Sequence, residues 1–308
     1  MMTRLYHHPI FREHLTGPGH PERPERIVAL EAALEAETFQ NLDRVLAPEG
    51  SVEAIYRCHS VDYVRRIART IPEEGMARID GDTMVSPKSF SAALHGIGAA
   101  CAGVDDVVSG AARNVFVAAR PPGHHAERET AMGFCLFNQA AIAARHAQAI
   151  HGLERVAIVD WDVHHGNGTQ DIFWTDSSVL YVSTHQMPLY PGTGARTETG
   201  AGNIVNVPLR EDDGTDEFRL AFSEIVLPVL ENFRPDLVIV SAGFDAHHRD
   251  PLGGLNLIEA DFDWATGKLL EIADRFSQRR LVSVLEGGYD LQGLSQSVAA
   301  HVKRLMVG

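Results

Sequence analysis

The chain has 308 residues, of which 44% are hydrophobic and 22% are charged, and its net charge is −14 at pH 7. These proportions are ordinary for a globular enzyme, and we expect a single domain over residues 1–308 with no membrane span. The acidic balance disfavours direct nucleic-acid binding, which requires a basic surface, although it would attract a cationic substrate.

The first third of the chain predicts mainly helix. Residues 1–9 lack the apolar stretch of a secretory signal, so we expect a cytoplasmic protein. Helices are predicted at residues 24–37, which open with a proline, and at residues 61–71, where Ser60 is a candidate N-cap.

The rest of the chain alternates between strands and helices. Runs rich in β-branched residues predict six buried strands, at residues 115–119, 156–160, 179–183, 204–208, 237–241 and 281–285. Amphipathic patterns predict helices at residues 139–150, 216–232 and 259–276. The alternation predicts an α/β fold with a mainly parallel sheet covered on both faces. Ligands bind such sheets at the carboxyl ends of the strands, which is where the polar motifs of this chain lie.

Three polar side chains lie at and just beyond the end of the predicted strand at residues 156–160. Asp160, Asp162 and His164 are spaced by two residues, so they would point to one face if the strand continued. Two carboxylates and an imidazole this close predict a bound cation. Asp245 follows a later strand and is a candidate third ligand beside Asp162 and His164. This oxygen and nitrogen set suits zinc and leaves one coordination position open.

Other strand ends supply groups for acid–base catalysis. A loop of prolines and glycine presents His124 and His125, and imidazole titrates near neutrality, as a general base must. Asp160 and Asn167 are candidate partners for the second ring nitrogens of these histidines. Tyr289 follows the last predicted strand and can donate a hydrogen bond to a developing oxyanion. Together these groups predict a hydrolase.

The motifs resemble, in order, those of the histone deacetylase family, in its class II branch. That branch includes bacterial histone deacetylase-like amidohydrolases and acetylpolyamine amidohydrolases. The motifs are HPERPER at residues 20–26, RPPGHHA at 120–126, MGFCLFN at 132–138, DWDVHHGNG at 160–168, YPGTG at 190–194, SAGFD at 241–245 and EGGY at 286–289. The resemblance implies the arginase/deacetylase fold, a three-layer α/β/α sandwich around a mainly parallel eight-stranded sheet.

The resemblance also implies catalytic roles. His125 would be the general base and then the general acid, with Asn167 as its partner. His124, paired with Asp160, would act mainly through its charge. Tyr289 would polarise the carbonyl of the scissile amide.

The same resemblance implies bound ions and a substrate tunnel. One catalytic zinc ion would be held by Asp162, His164 and Asp245. A structural potassium ion would lie near Asp160, Asp162, His164, Ser183 and Thr184. The tunnel for the acylated side chain would be lined by Gly133, Phe134, Tyr190 and Leu252.

Four positions refine the assignment within the family. Asn167 stands where class I relatives carry aspartate, which is typical of class II, and Tyr289 is retained where class IIa relatives have histidine. Tyr190 replaces the usual phenylalanine of the tunnel wall and adds a hydroxyl group. Leu252 occupies a position where polyamine-selective relatives have glutamate, which favours acetyl-lysine as the substrate.

The implied function is removal of acetyl or related acyl groups from the side-chain amine of lysine in proteins or peptides. An acetylpolyamine or another small N-acyl amine is the alternative substrate. A non-catalytic acyl-lysine sensor is disfavoured because no catalytic position is missing. An arginase-like ureohydrolase would bind two metal ions and require a carboxylate at the position of Gly166, which disfavours this function. Asp245 and His247 could still share a second ion. The sequence leaves the physiological substrate, the acyl length, the native divalent metal and the oligomeric state open.

Overall fold

A computed structural model describes residues 2–308 and contains a large parallel sheet and a small separate one. The strands are β1 Thr3–His7, β2 Asp43–Leu46, β3 Ala77–Arg78, β4 Met84–Val85, β5 Asn114–Val117, β6 Val156–Asp160, β7 Val179–Gln186, β8 Ile204–Leu209, β9 Leu237–Ala242 and β10 Leu281–Leu285. The 8-stranded sheet has the order β2-β1-β5-β10-β9-β6-β7-β8, and each neighbouring pair is parallel. The predicted eight-stranded parallel sheet is therefore confirmed. Strands β3 and β4 form an antiparallel pair apart from it.

Helices flank the large sheet. They are α1 Glu25–Leu34, α2 Val52–Ile55, α3 Val61–Thr70, α4 Ser89–Ser109, α5 Gln139–His151, α6 Asn167–Phe173, α7 Thr215–Ala221, α8 Leu227–Phe233, α9 Glu259–Phe276 and α10 Leu291–Val307. The predicted cap of α3 is present, because the Ser60 hydroxyl accepts the backbone N–H of Tyr63 at 3.2 Å. The predicted helix at residues 216–232 is interrupted by a π-helical turn, Phe222–Val226, which separates α7 from α8.

The prediction of a mainly helical first third is incomplete, because this region also supplies two strands of the large sheet. Strand β2 is an edge strand with alternating half-buried and exposed residues, and its partner β1 has half-buried polar residues at Arg4 and His7. Both strands carry charged side chains, and Arg4 pairs with Asp43 across them at 2.8 Å. Such polar strands lack the continuous apolar run that identifies the central strands.

Helix α4 was not predicted because its sequence is rich in glycine. A Cβ on Gly98 would lie 2.1 Å from the Pro48 carbonyl oxygen, and one on Gly103 would lie 3.0 Å from the Val115 side chain. The glycines therefore allow close packing of the helix against its neighbours, at a cost in helix propensity.

Within residues 2–308, no helix combines the length and the apolar character needed to cross a bilayer. The cytoplasmic location stays a prediction.

A buried charge network joins the N-terminal segment to the carboxyl edge of the sheet. Glu22 accepts hydrogen bonds from Arg26 Nη1 at 2.9 Å and from Arg120 Nη2 at 2.6 Å. Arg26 Nε also donates to the Gly288 carbonyl at 2.6 Å, and all three charged side chains are fully buried. Burial alone would raise the pKa of Glu22, but Arg120 and hydrogen bonding to His14 hold it well below its ordinary value. Glu22 is therefore ionised and compensates the two arginines.

We expect Glu22→Gln to lower the free energy of unfolding by about 3–5 kcal/mol, because it leaves two buried guanidinium groups without their carboxylate. The depressed pKa means that Glu22 stabilises the fold above the unfolded-state pKa of about 4.3 and loses this contribution as pH falls toward the folded pKa. The variant should therefore lose stability less steeply than the native chain below about pH 4. Urea denaturation at a series of pH values measures both effects.

The matched control is Glu35→Gln, because the Glu35 side chain is 76% exposed. Equal stability losses in the two variants, or an unchanged acid slope in Glu22→Gln, would contradict the role of the network.

Candidate active site

Asp162, His164 and Asp245 converge beyond the carboxyl ends of β6 and β9. His164 Nδ1 lies 3.1 Å from Asp162 Oδ1 and 3.1 Å from Asp245 Oδ2. One donor atom from each residue lies within 4.8 Å of the other two, and all three residues are buried. Bonds of 2.0–2.1 Å in a tetrahedral metal site separate the donor atoms by ~3.3 Å, so the observed spacing is close to that of a metal site.

Backbone groups hold the two carboxylates in this arrangement. Val163 N–H donates to Asp245 Oδ1 at 2.9 Å, and Gly287 N–H donates to Asp162 Oδ2 at 2.8 Å. A Cβ on Gly287 would lie 2.1 Å from Asp245 Oδ2, so glycine is required for the close approach of the chain after β10. These contacts fix one oxygen of each carboxylate and leave the other directed at His164.

The electrostatics of the three residues fit a bound divalent metal ion. Burial and the charge of Asp162 raise the pKa of Asp245 to about 7. Burial would lower the pKa of His164, but its hydrogen bonds to Asp162 and Asp245 raise it to about 10. Without a metal ion, the two buried carboxylates are compensated by backbone N–H groups, by the charge of His124 and by a proton on His164 or on one of the acids. A divalent cation on the same oxygen and nitrogen atoms would compensate both.

His124 and His125 lie side by side, with ring centroids 4.0 Å apart, and have different partners. His124 Nδ1 is 3.0 Å from Asp160 Oδ2, whereas His125 Nδ1 is 2.8 Å from Asn167 Oδ1. The Asn167 amide donates through Nδ2 to Glu127 Oε1 at 2.8 Å, which directs its oxygen toward His125. His125 Nδ1 must therefore carry the hydrogen, and Nε2 keeps a free lone pair.

Different surroundings give the two histidines different charges. Burial would lower the pKa of His124, but the charges of Asp162 and Asp160 raise it well above the ordinary value. Burial and the charges of His124 and His164 hold the pKa of His125 well below the ordinary value. His124 is therefore a cation, whereas His125 is neutral and able to accept a proton.

A pocket of about 240 Å³ opens onto these groups. Its lining residues are Asp82, His125, Gly133, Phe134, His164, Leu189, Tyr190, Leu252 and Tyr289. The structure thus brings the four predicted tunnel residues together with His125, His164 and Tyr289. It adds Asp82 and Leu189, which sequence reasoning missed. Asp82 lies in a loop far along the chain from the strand-end motifs, so no spacing pattern indicated it.

Tyr289 lines this pocket together with His125 and His164. Phe134 contacts its ring edge-on, with centroids 5.8 Å apart, and the Arg26 guanidinium lies 5.0 Å from the ring centroid. Asp250 Oδ2 accepts the Tyr289 backbone N–H at 2.6 Å, and its Oδ1 accepts that of Leu252 at 3.0 Å. Asp250 therefore positions two pocket residues at once.

Glu286 is a further buried acid that sequence reasoning left without a role. Its Oε2 accepts the backbone N–H groups of Gly123 at 2.7 Å and His124 at 3.1 Å, and Oε1 accepts the Ser241 hydroxyl at 3.2 Å. Burial raises the pKa of Glu286 to about 7. The available signal was its place directly after an apolar strand, at the edge where the ligands of parallel sheets bind.

Of the residues of the predicted potassium site, His164 lines this pocket. Asp160 is paired with Ser183 in the register of β6 and β7. The Ser183 hydroxyl is 2.8 Å from His185 Nδ1, and the buried Thr184 hydroxyl has no hydrogen-bond partner within residues 2–308. The potassium ion stays a prediction.

Comparison with known proteins identifies the family. Residues 20–305 match the family model described as the histone deacetylase domain. The chain belongs to the histone deacetylase family. A relative from Archaeoglobus fulgidus named probable deacetylase is 37% identical, with 95% of this chain and 83% of the relative covered. The histone deacetylase-like amidohydrolase of Pseudomonas aeruginosa is 40% identical, with 88% of this chain and 73% of the relative covered.

A solved structure shows the same fold. The crystal structure of the HDA15 HD domain is 37% identical in sequence, with a TM-score of 0.94, and covers 99% of this chain and 88% of that one.

The contact between Gly287 and the metal-ligand candidates gives a test of the site. We expect Gly287→Ala to displace the Asp245 and Asp162 carboxylates and to lose most of the bound divalent metal, because Cβ would lie 2.1 Å from Asp245 Oδ2. Elemental analysis of the purified protein measures the metal content. The control is Gly81→Ala, where a Cβ meets nothing within 4 Å. Full metal content in Gly287→Ala would contradict this geometry.

Proposed function

We propose that the protein is a zinc-dependent deacetylase that hydrolyses the acyl amide on a lysine side chain. The observation that carries the proposal is one pocket lined by His164 of the metal-ligand set, by the neutral His125 and by Tyr289. A general base, an electrophilic centre and an oxyanion donor are the parts that amide hydrolysis needs. Residues 1–308 would form one catalytic domain, of which the family match spans residues 20–305.

The metal-ligand set supports zinc as the cofactor. Two carboxylate oxygens and one imidazole nitrogen, from Asp162, Asp245 and His164, are a set that zinc accepts while keeping a position open for substrate. When bound, zinc supplies Lewis acidity, which polarises a carbonyl oxygen and makes water more acidic.

The protein groups around the amide would divide the proton transfers. His125 Nε2 takes a proton from the attacking water, because Asn167 holds the ring with its hydrogen on Nδ1. The same nitrogen then returns the proton to the departing amine. Cationic His124 stabilises the negative charge that develops in the transition state, without transferring a proton itself.

Tyr289 would donate its hydroxyl hydrogen to the oxyanion. Burial and the charge of Asp245 raise the pKa of Tyr289 well above its ordinary value, so the hydroxyl keeps its proton at neutral pH. The contact with Phe134 and the hydrogen bond of its backbone to Asp250 hold the residue against the pocket.

The shape and charge of the pocket support a lysine-like substrate. The rings of Phe134 and Tyr190 and the side chain of Leu252 give apolar contacts for a methylene chain. Asp82 places a carboxylate among the lining residues, where it can accept a hydrogen bond from a backbone N–H of an acyl-lysine peptide. An acetylated polyamine has a similar methylene chain and a distal ammonium that Asp82 could attract, and it is the second candidate for this reason.

The arrangement disfavours an arginase-like two-metal reaction. Within residues 2–308, the one buried group of three or more potential metal ligands is Asp162, His164 and Asp245. His247, the candidate for a second ion, has Nε2 at 3.4 Å from Glu259 Oε1 and Nδ1 occupied by the Arg249 backbone N–H. Nδ1 is therefore occupied, Nε2 lies near Glu259 without forming a hydrogen bond, and His247 does not belong to the ligand group that contains Asp245.

We expect Tyr289→Phe to lower kcat by ~100 to 1,000-fold, because the oxyanion loses one hydrogen-bond donor while the metal ligands are unchanged. Turnover of a fluorogenic acetyl-lysine peptide, together with metal content and thermal unfolding, measures the effect. Tyr56→Phe removes a hydroxyl from an exposed tyrosine and should behave as the native chain. Near-native turnover by Tyr289→Phe would reject the mechanism.

We expect Leu252→Glu to raise kcat/KM for an acetylated polyamine relative to an acetyl-lysine peptide by up to ~fivefold, the effect of a partly exposed ion pair with the distal ammonium. Leu252→Gln is the neutral control of the same shape. If both variants shift the ratio equally, the effect arises from polarity or shape rather than from charge. A native chain that already prefers the polyamine would overturn the assignment to lysine.

A further inference from the structure

A second cluster of potential metal ligands lies at the opposite edge of the large sheet. It consists of Asp105 on α4 and of His146 and His151 on α5. Both helices end shortly before the strands β5 and β6 begin, so their C-terminal turns lie at the amino edge of the sheet. The pocket lies at the carboxyl edge, and the two sites have no residue in common.

The two imidazoles meet on a single carboxylate oxygen. Asp105 Oδ1 is 2.7 Å from His146 Nε2 and 2.6 Å from His151 Nε2. The rings have centroids 5.7 Å apart and planes inclined by 71°, so they approach the oxygen from different directions. The Asp105 side chain is 51% exposed, whereas those of His146 and His151 are 13% and 21% exposed. Water can therefore reach the cluster from the side of Asp105.

We propose that Asp105, His146 and His151 form a second, surface site for a divalent transition metal ion such as zinc, nickel or copper. Two imidazole nitrogens and one carboxylate oxygen are ligands that these ions prefer, and solvent can supply the remaining ligands. The ion would replace the two hydrogens that now lie between the imidazoles and Asp105. The donor atoms must separate to ~3.3 Å, a shift that partly exposed side chains at helix ends can make.

Arg57 limits the affinity of this site. Its Nη1 lies 3.4 Å from His146 Nδ1, so Nδ1 faces a hydrogen-bond donor. Metal binding through Nε2 puts the hydrogen on Nδ1, which would then face the donor hydrogens of Arg57. A metal-bound histidine instead requires an acceptor at its second nitrogen. Without metal, the cluster thus favours the state in which both imidazoles are hydrogen-bonded to Asp105. The site would bind a metal ion when the metal concentration is high.

The ion would link α4 to the last residue of α5. Helix α5 begins at the Asn138 cap, and Asn138 Nδ2 donates to Thr169 beside the catalytic segment. The proposed site stands independently of the deacetylase proposal, because its ligands belong to neither the pocket nor the metal group at the carboxyl edge.

The experiment counts metal ions on the holoenzyme. Protein loaded with one equivalent of zinc, verified by elemental analysis, is titrated with zinc in a calorimeter. We expect the native chain to bind one further equivalent. His151→Gln and Asp105→Asn should each weaken this second event by at least ~10-fold while keeping the first equivalent and the deacetylase activity. His95→Gln is the matched control, because His95 lies on α4 outside the cluster.

Arg57→Gln supplies a gain-of-function test. The glutamine oxygen can accept the hydrogen on His146 Nδ1, so the second equivalent should bind ~10-fold more tightly. The proposal is overturned if the native chain binds only the first equivalent, or if His151→Gln and Asp105→Asn bind the second as tightly as His95→Gln does. Thermal unfolding checks that each variant is folded. Loss of the first equivalent of zinc or of deacetylase activity in a variant would instead indicate a change in the catalytic site.

Discussion

Buried negative charge at the carboxyl edge of the sheet is the constraint on which the rest of the structure depends. Asp160, Asp162, Asp245 and Glu286 are all buried within one small region. Unpaired buried carboxylates are strongly destabilising, so each oxygen must meet a cation or a hydrogen-bond donor. Backbone N–H groups, His124 and the Tyr181 hydroxyl meet part of this demand. The pair Asp162 and Asp245 keeps two oxygens directed at a single imidazole, and this is where a divalent ion fits.

The strand order explains why the polar motifs lie together at one edge of the sheet. Every strand of the large sheet is parallel, so all carboxyl ends lie on one side. The central order β5-β10-β9-β6 makes neighbours of strands that are distant in sequence, and each of the four leads into one polar motif. The histidine loop follows β5, Tyr289 follows β10, Asp245 follows β9 and Asp162 follows β6. In a sequential order, β7 and β8 would have separated the motifs after β5 and β6 from those after β9 and β10.

Local patterns in the sequence predicted the central strands and the polar residues that follow them. Strand β6, for example, is apolar until it ends at Asp160. Its conformation and its place along the chain could therefore be predicted from neighbouring residues alone. The strands β1 and β2, by contrast, are recognisable only through pairing with β5 and with each other. Asp82 and Asp250 were missed for the same reason. Each acts on residues from another part of the chain, and sequence spacing carries no information about such contacts.

The two adjacent histidines show how the surroundings, rather than the residue type, decide a role. His124 and His125 share a loop and are both buried, but Nδ1 of His124 meets the Asp160 carboxylate whereas Nδ1 of His125 meets the Asn167 amide. A carboxylate at residue 167 would add another negative charge to an edge already crowded with acids, and it would draw the proton equilibrium of His125 toward the cation. The amide orients the ring equally well through Oδ1, and the hydrogen bond from Asn167 Nδ2 to Glu127 fixes the orientation of that amide. In the proposed mechanism, an amide rather than a carboxylate at residue 167 thus favours His125 as the base while His124 carries the charge.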